Sequence, residues 1–248
     1  MKAYKSVQAA LWIGYAVLWC GGVASYLFLG GPPAGSGWTA PAFLFTGALL
    51  TLALAPPGRR WRLMAAGLAG MAAELAGLKW GVPFGAYAYT EVLHPTVLGV
   101  PVAIGCAWLI LFAYVGQMLA WLRVRAWLRA AAGAAWMTAL DLLIDPLAAG
   151  PLGYWVWSGG GRYYGVPWSN FAGWFVVGLG LFLALRRPPA KDLKATGVGG
   201  SILLFFTLVA AGQRMAGPLI AGASLLALHA GVVLAARRGG GELRRSGR

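Results

Sequence analysis

Apolar residues in this chain run in long unbroken blocks, not in the alternating pattern of a half-buried strand or the one-sided pattern of a soluble helix. Eight blocks stand out, at residues 7–29, 40–55, 61–78, 97–121, 126–149, 168–185, 198–212 and 218–236. A helix needs about 20 such residues, with a range of ~17–25, to cross a bilayer. The second and seventh blocks are short, so they cross with little tilt or extend into their flanks. Residues 7–29 exceed the ~7–15 apolar residues of a signal-peptide core, which predicts an uncleaved first helix. Ten-residue alternation of the barrel type is absent, and a helix satisfies its own backbone groups inside lipid. The pattern predicts an all-α polytopic membrane bundle of about eight transmembrane helices, with 1–248 forming one integral membrane domain.

Composition and charge sharpen this picture. Of the 248 residues, 60% are hydrophobic and 10% charged, where a soluble domain carries about 25% charged. Lys and Arg in short loops favour the cytoplasm. Lys2 and Lys5, Arg59, Arg60 and Arg62, Arg123, Arg125 and Arg129, Arg186, Arg187, Lys191 and Lys194, and Arg237, Arg238, Arg244, Arg245 and Arg248 fall on one side of an eight-span layout, leaving only Lys79, Arg162 and Arg214 on the other. Both termini are therefore expected in the cytoplasm and the chain in the plasma membrane, with 237–248 a flexible basic cytoplasmic tail. The net charge of +14 reads as this bias plus attraction to anionic lipid; basic residues scattered among loops do not make a nucleic-acid site. Cys20 and Cys106 lie within predicted helices and form no CxxC pair, which predicts neither disulfide nor metal. His229 is expected to bond within the bundle, and His94 to be a solvated loop histidine.

The middle of the chain echoes itself. Residues 74–108 and 141–174 each begin with an acid near the end of a span and continue into Pro-x-Gly with aromatics at alternate positions. Pro83, Gly85, Tyr87 and Tyr89 stand against Pro151, Gly153, Trp155 and Trp157. Each unit resumes with Gly-Val-Pro, at Gly99–Pro101 and Gly165–Pro167, and places a Trp seven residues after that proline, Trp108 and Trp174. The offset is 68 in the turn and 66 afterwards. This predicts two helix–loop–helix units in parallel orientation, whose interface is a natural place for a site. Their aromatic, glycine-rich loops are expected to form short re-entrant or interface-lying segments that roof a cavity.

Four of the six acids, Glu74, Glu91, Asp141 and Asp145, fall in these units, while Asp192 and Glu242 lie in cytoplasmic segments. Asp141 and Asp145 are four apart and share one helix face. With spans three and five both running outward, Glu74, Asp141 and Asp145 lie in the half of the bilayer away from the cytoplasm. An acid at a helix centre costs ~2.5–3.5 kcal/mol, and those that remain face a bundle interior or a cavity. The structural alternatives are a bond from Asp141 to a neighbouring Trp or Tyr, and a helix-end capping role for Asp145 before Pro146. Burial disfavours a carboxylate anion and a second acid on the same face disfavours it further, so a proton donor beside a base is the expected pair. Surrounding Trp and Tyr faces attract a developing cation. No nucleotide loop, haem or flavin motif or metal-ligand spacing is present, which implies cofactor-free, metal-free proton transfer onto an apolar, lipid-dissolved molecule.

Glu74, "PFGAYAY" (83–89), "GVP" (99–101) and Trp108, then "DLLIDP" (141–146), "GYWVW" (153–157) and "GRYYGVPWSNFAGW" (161–174), resemble the carotenoid-biosynthesis membrane hydratases of the CruF type, a family that includes the archaeal bisanhydrobacterioruberin hydratases. The likeness covers about 100 residues; the outer helices carry only hydropathy. It implies a carotenoid with an acyclic ψ end, such as lycopene, γ-carotene or a C50 relative, and addition of water across its terminal C1–C2 double bond. On that basis Asp141 or Asp145 protonates C2, and Glu74 or the other Asp positions the water that attacks C1. Tyr87, Tyr89, Trp155 and Trp157 line the end-group pocket, joined by Tyr163 and Trp174, and Asn170 holds water or orients a carboxyl. Competing readings are a cyclase or isomerase using the same acids, a proton-coupled transporter of a lipophilic cargo, and a non-catalytic partner of other carotenoid enzymes.

Overall fold

The computed structural model describes residues 2–185 and 191–245. Arg186, Arg187 and Arg248, three of the basic residues assigned to the cytoplasmic side, lie outside them. Eight α-helices follow in chain order: α1 (Lys2–Phe28), α2 (Thr39–Leu54), α3 (Pro57–Trp80), α4 (Val102–Leu119), α5 (Ala126–Ala149), α6 (Trp168–Ala184), α7 (Gly197–Gly212) and α8 (Ala216–Arg245). Each coincides with one of the apolar blocks. Among the described residues five segments are long and apolar enough to cross a membrane, namely Ser6–Phe28, Val102–Leu119, Ala126–Ala149, Leu193–Gly212 and Ala216–Arg238, while α2 and α6 are apolar but shorter. The seventh block reaches spanning length because a 3₁₀ turn, Leu193–Thr196, leads directly into α7. Charge sets α3 apart, since Arg59, Arg60, Arg62, Glu74 and Lys79 all lie in it. The protein is an all-α membrane helix bundle.

Burial grades outward from α4. Of its span 78% is buried, against 17% for α1 and for α8. α2, α3, α5 and α7 pack around α4, α6 pairs with α5, α8 covers α5 and α7, and α1 covers α2 and α7. The close approach of α3 to α4 depends on small residues, as helix contacts in lipid generally do. A Cβ on Gly70 would sit 2.2 Å from the Trp108 ring, and one on Gly67 would sit 2.8 Å from the Gly105 carbonyl oxygen. Gly70 is thus the recess that receives the Trp108 indole.

Two boundaries differ from those the hydropathy predicts. The fourth block starts at residue 97, but α4 begins only at Val102; residues 96–101 form a tight hairpin of β2 (Thr96–Val97) and β3 (Val100–Pro101). Leu98 and Gly99 both take positive φ there (53° and 85°), the geometry of a two-residue hairpin turn. Apolar composition cannot separate such a hairpin from the first turn of a helix. At the other end of the chain α8 continues to Arg245, so the expected flexible end is helical that far; no proline interrupts residues 219–245. Pro146 lies inside α5, within the apolar block predicted at 126–149.

Pro146 has no N–H, so the carbonyl of Leu142, four residues earlier, loses its helical partner. The Tyr163 hydroxyl donates to that carbonyl at 3.0 Å. This corrects the expectation for Tyr163: its hydroxyl braces the backbone of α5, and it does not line the cavity described below. Tyr163→Phe is expected to leave the Leu142 carbonyl unpaired and to lower stability by about 1 kcal/mol, read as a small fall in the thermal midpoint of the detergent-solubilised protein.

The aromatic loops pair with each other. β1 (Tyr87–Tyr89) and β4 (Trp155–Trp157) form an antiparallel ribbon in which Tyr87 opposes Trp157, Ala88 opposes Val156 and Tyr89 opposes Trp155. Thr90 N donates to Tyr154 O (3.0 Å), and Ser158 N donates to Ala86 O (2.9 Å). The offset of 68 carries 86, 87, 88, 89 and 90 onto 154, 155, 156, 157 and 158, so it exchanges the two strands, maps the Ala88–Val156 pair onto itself and maps every other of these contacts onto its counterpart. A local two-fold through Ala88 and Val156 describes the ribbon. Successive strand residues face opposite ways: Ala88 and Val156 are exposed, while the four aromatics turn inward.

Candidate active site

Beneath the ribbon lies a cavity of about 80 Å³ walled by α3, α4, α5 and α6, with Leu44 of α2 and Ile202 and Phe206 of α7. A single water requires ~10–15 Å³, so there is room for several waters or a small branched hydrocarbon end, but not for a long chain. Glu74, Asp141 and Asp145 all line it, and all are buried, with 7%, 2% and 1% of their surface exposed. The structure brings together the three acids that the sequence singles out.

Each acid is held differently. Glu74 Oε2 accepts from the Tyr87 hydroxyl (2.5 Å) and the Tyr89 hydroxyl (2.9 Å), and its Oε1 accepts from the Trp108 indole N–H (3.1 Å). Burial above all, and then the charge of Glu74, raise both phenols above the ordinary tyrosine range, which keeps them as donors. Asp145 Oδ1 accepts from the indole N–H groups of Trp155 (2.6 Å) and Trp157 (3.3 Å). Its Oδ2 accepts from Asn170 Nδ2, and the same nitrogen donates to Asp141 Oδ2 at 2.6 Å. One amide therefore spends both its N–H bonds bridging the two aspartates. Asp141 Oδ1 takes no hydrogen bond among the described residues.

The geometry follows from local sequence. Asp141 and Asp145 project from one face of α5 because they are one turn apart. Trp155 and Trp157, like Tyr87 and Tyr89, reach an acid because period-two spacing on a strand puts both on the same face. Asn170 lies in the first turn of α6, fixed by Pro167 just ahead of the helix. The indoles of Trp108 and Trp174 stack at 4.1 Å and 8°, and both line the cavity. Here the expected bond from an acid to a neighbouring aromatic is found on Asp145, which does not cap a helix end.

Of the expected pocket residues, Tyr87, Tyr89, Trp155, Trp157, Asn170 and Trp174 line the cavity and Tyr163 does not. Trp108, which the sequence marks as a repeat and motif position but not as a pocket residue, also belongs to the site. Its signal was present, because it is the counterpart of Trp174. Leu44, Ile202 and Phe206 carry no such signal; only the packing of α2 and α7 brings them in. Glu91 is exposed and bonds His94 at 2.6 Å, away from the cavity. His229 Nδ1 lies 3.0 Å from the Tyr114 hydroxyl, within the bundle as expected. No group of three or more His, Cys, Asp or Glu among the described residues has an arrangement that could hold a metal ion.

Comparison with known proteins bears on this site. A segment of 114 residues is 35% identical to a bisanhydrobacterioruberin hydratase from Haloarcula japonica, covering 42% of this chain and 37% of that protein. The match thus spans little more than a third of the relative's length. No solved structure matches the chain significantly. Residues 39–236 match the family model described as carotenoid biosynthesis protein. That interval takes in all of the cavity's walls and well over half of the chain, and the chain belongs to the carotenoid biosynthesis protein family.

Proposed function

We propose that this protein hydrates the terminal C1–C2 double bond of an acyclic carotenoid end group, without a cofactor, on lycopene, γ-carotene or a C50 relative taken from the bilayer. The observation that carries this reading is the convergence of three carboxyls and one bridging amide on an apolar, aromatic-walled cavity sized for a branched end group and water. The likeness to a protein named as a hydratase favours water capture over ring closure.

Asp141 is assigned as the proton donor. Glu74 and Asp145 each accept three hydrogen bonds, an arrangement that fixes them as acceptors. Asp141 accepts one and keeps Oδ1 free to meet the alkene. The π electrons of C1=C2 take the Asp141 proton to form a C2–H bond, leaving a tertiary cation at C1. The ring faces of Tyr87, Tyr89, Trp155 and Trp157 stabilise that charge. A water attacks C1 through its oxygen and gives up a proton to Asp145. Asp145 lies one helical turn from Asp141 and shares Asn170 with it, so the proton returns over a short path and the net change is one added water. We assign the cavity to the half of the plasma membrane away from the cytoplasm, with both termini cytoplasmic. Arg59, Arg60 and Arg62 at the start of α3 and Arg123 and Arg125 between α4 and α5 support this, opposite Lys79, Arg162 and Arg214.

The reading is tested by expressing the chain in a lycopene-producing host and weighing the extracted pigments. The expected product is heavier than lycopene by one water per modified end. A pigment of unchanged mass but altered absorption would point to cyclisation or isomerisation instead.

A further inference from the structure

The acid cavity is too small for more than the end of a long polyene, and a second, larger cavity adjoins it. This groove, about 560 Å³, lies between α1, α2 and α7 under the 32–38 segment, and it shares Leu44, Tyr154 and Phe206 with the acid cavity. We propose that the groove is the binding site for the polyene stem of the substrate, with the end group passing Leu44 and Phe206 to reach Asp141. The identity of the ligand rests on the hydratase reading; the groove itself rests on three observations of its own.

Continuity comes first: the shared walls put the two cavities side by side, so a linear molecule can occupy both. Chemistry comes second. No charged side chain among the described residues lines the groove, and its aliphatic hydroxyls are spent on the backbone: Ser25 donates to Gly21 O (2.7 Å), Ser36 to Pro33 O (2.5 Å) and Thr39 to Ser36 O (2.7 Å). Beyond the phenols of Tyr26 and Tyr154 and the Trp38 indole, the lining offers no free polar side chain among the described residues, which suits a hydrocarbon. Access is third. The α1 wall runs from Val17 to Tyr26, about 13 Å at 1.5 Å per residue, and the lining residues Val17 and Trp38 are themselves largely exposed, so the groove opens to the surface. A lipid-dissolved chain can therefore enter sideways from the bilayer, which a closed cavity would forbid.

Photo-crosslinking tests this. A benzophenone amino acid replaces Val17, which lines the groove and is 66% exposed, in the full chain expressed in lycopene-producing cells; the control carries the same group at Leu68, 68% exposed and outside the groove. On irradiation of the membranes, the peptide containing position 17 is expected to gain the mass of a carotenoid at least tenfold more than the peptide containing position 68. Equal labelling at both positions, or none at 17, overturns the groove assignment. Hydrated pigment in the same cells would leave the hydratase reading standing in that event. An adduct at 17 with no hydrated pigment would support the groove and sink the hydratase reading. Should the Val17 variant fail to accumulate, the group at Trp38, on the roof of the groove and 65% exposed, gives the same readout.

Discussion

Asp141→Asn is expected to lower hydration by about 10²–10⁴-fold, the contribution of a positioned general acid, with little effect on folding. The substitution preserves size and still offers an oxygen to Asn170, whose Nδ2 donates to Asp141 at 2.6 Å. What it removes is the proton at the oxygen that no protein group holds. Asp145→Asn is a less clean probe. Its new amide would face the N–H groups of Trp155, Trp157 or Asn170, setting donor against donor, so structure and chemistry would fall together. The check is the ratio of hydrated to unmodified pigment at matched membrane levels of each variant. An Asp141→Asn protein that hydrates like wild type removes Asp141 from the role of donor.

Asn170→Leu is expected to damage both stability and chemistry. Leucine fills a similar volume, but it supplies neither of the N–H bonds that bridge the aspartates. Asp141 is then left with no hydrogen bond and Asp145 with only its two indoles. An unsatisfied buried polar group costs about 1–3 kcal/mol, and two carboxyls are affected. The expected outcome is a thermal midpoint several degrees lower in detergent, together with loss of hydrated product. If midpoint and product both matched wild type, something other than the amide would be holding the pair together.

The bundle was legible in the sequence because lipid imposes one demand on every spanning segment, and apolar blocks of sufficient length meet it. The blocks at 126–149 and 168–185 fall within one residue of α5 and α6. Legibility failed where backbone geometry, not hydropathy, decides. Leu98 and Gly99 turn a hairpin inside an apolar block, and the Tyr163 hydroxyl, 21 residues along the chain, answers a carbonyl orphaned by Pro146, a pairing that only the folded loop reveals. Tyr87, Tyr89, Trp155 and Trp157 alternate along the chain, and alternation is the signature of a strand; three residues are too few to announce one. The acids themselves were legible, since each stands out against apolar neighbours. Their sorting was not: Asp141 and Asp145 look alike in sequence, and only the donors gathered from β4 and α6 tell them apart.

Isolated membranes holding preformed lycopene and the wild-type protein, transferred to heavy water, put the proposed chemistry to its most direct test. Proton delivery to C2 followed by water capture at C1 predicts one non-exchangeable deuterium on the carbon next to the new carbinol for each modified end, in step with the oxygen gained. A hydroxylated pigment with no deuterium at that carbon, or a deuterated pigment that has gained no oxygen, would contradict it.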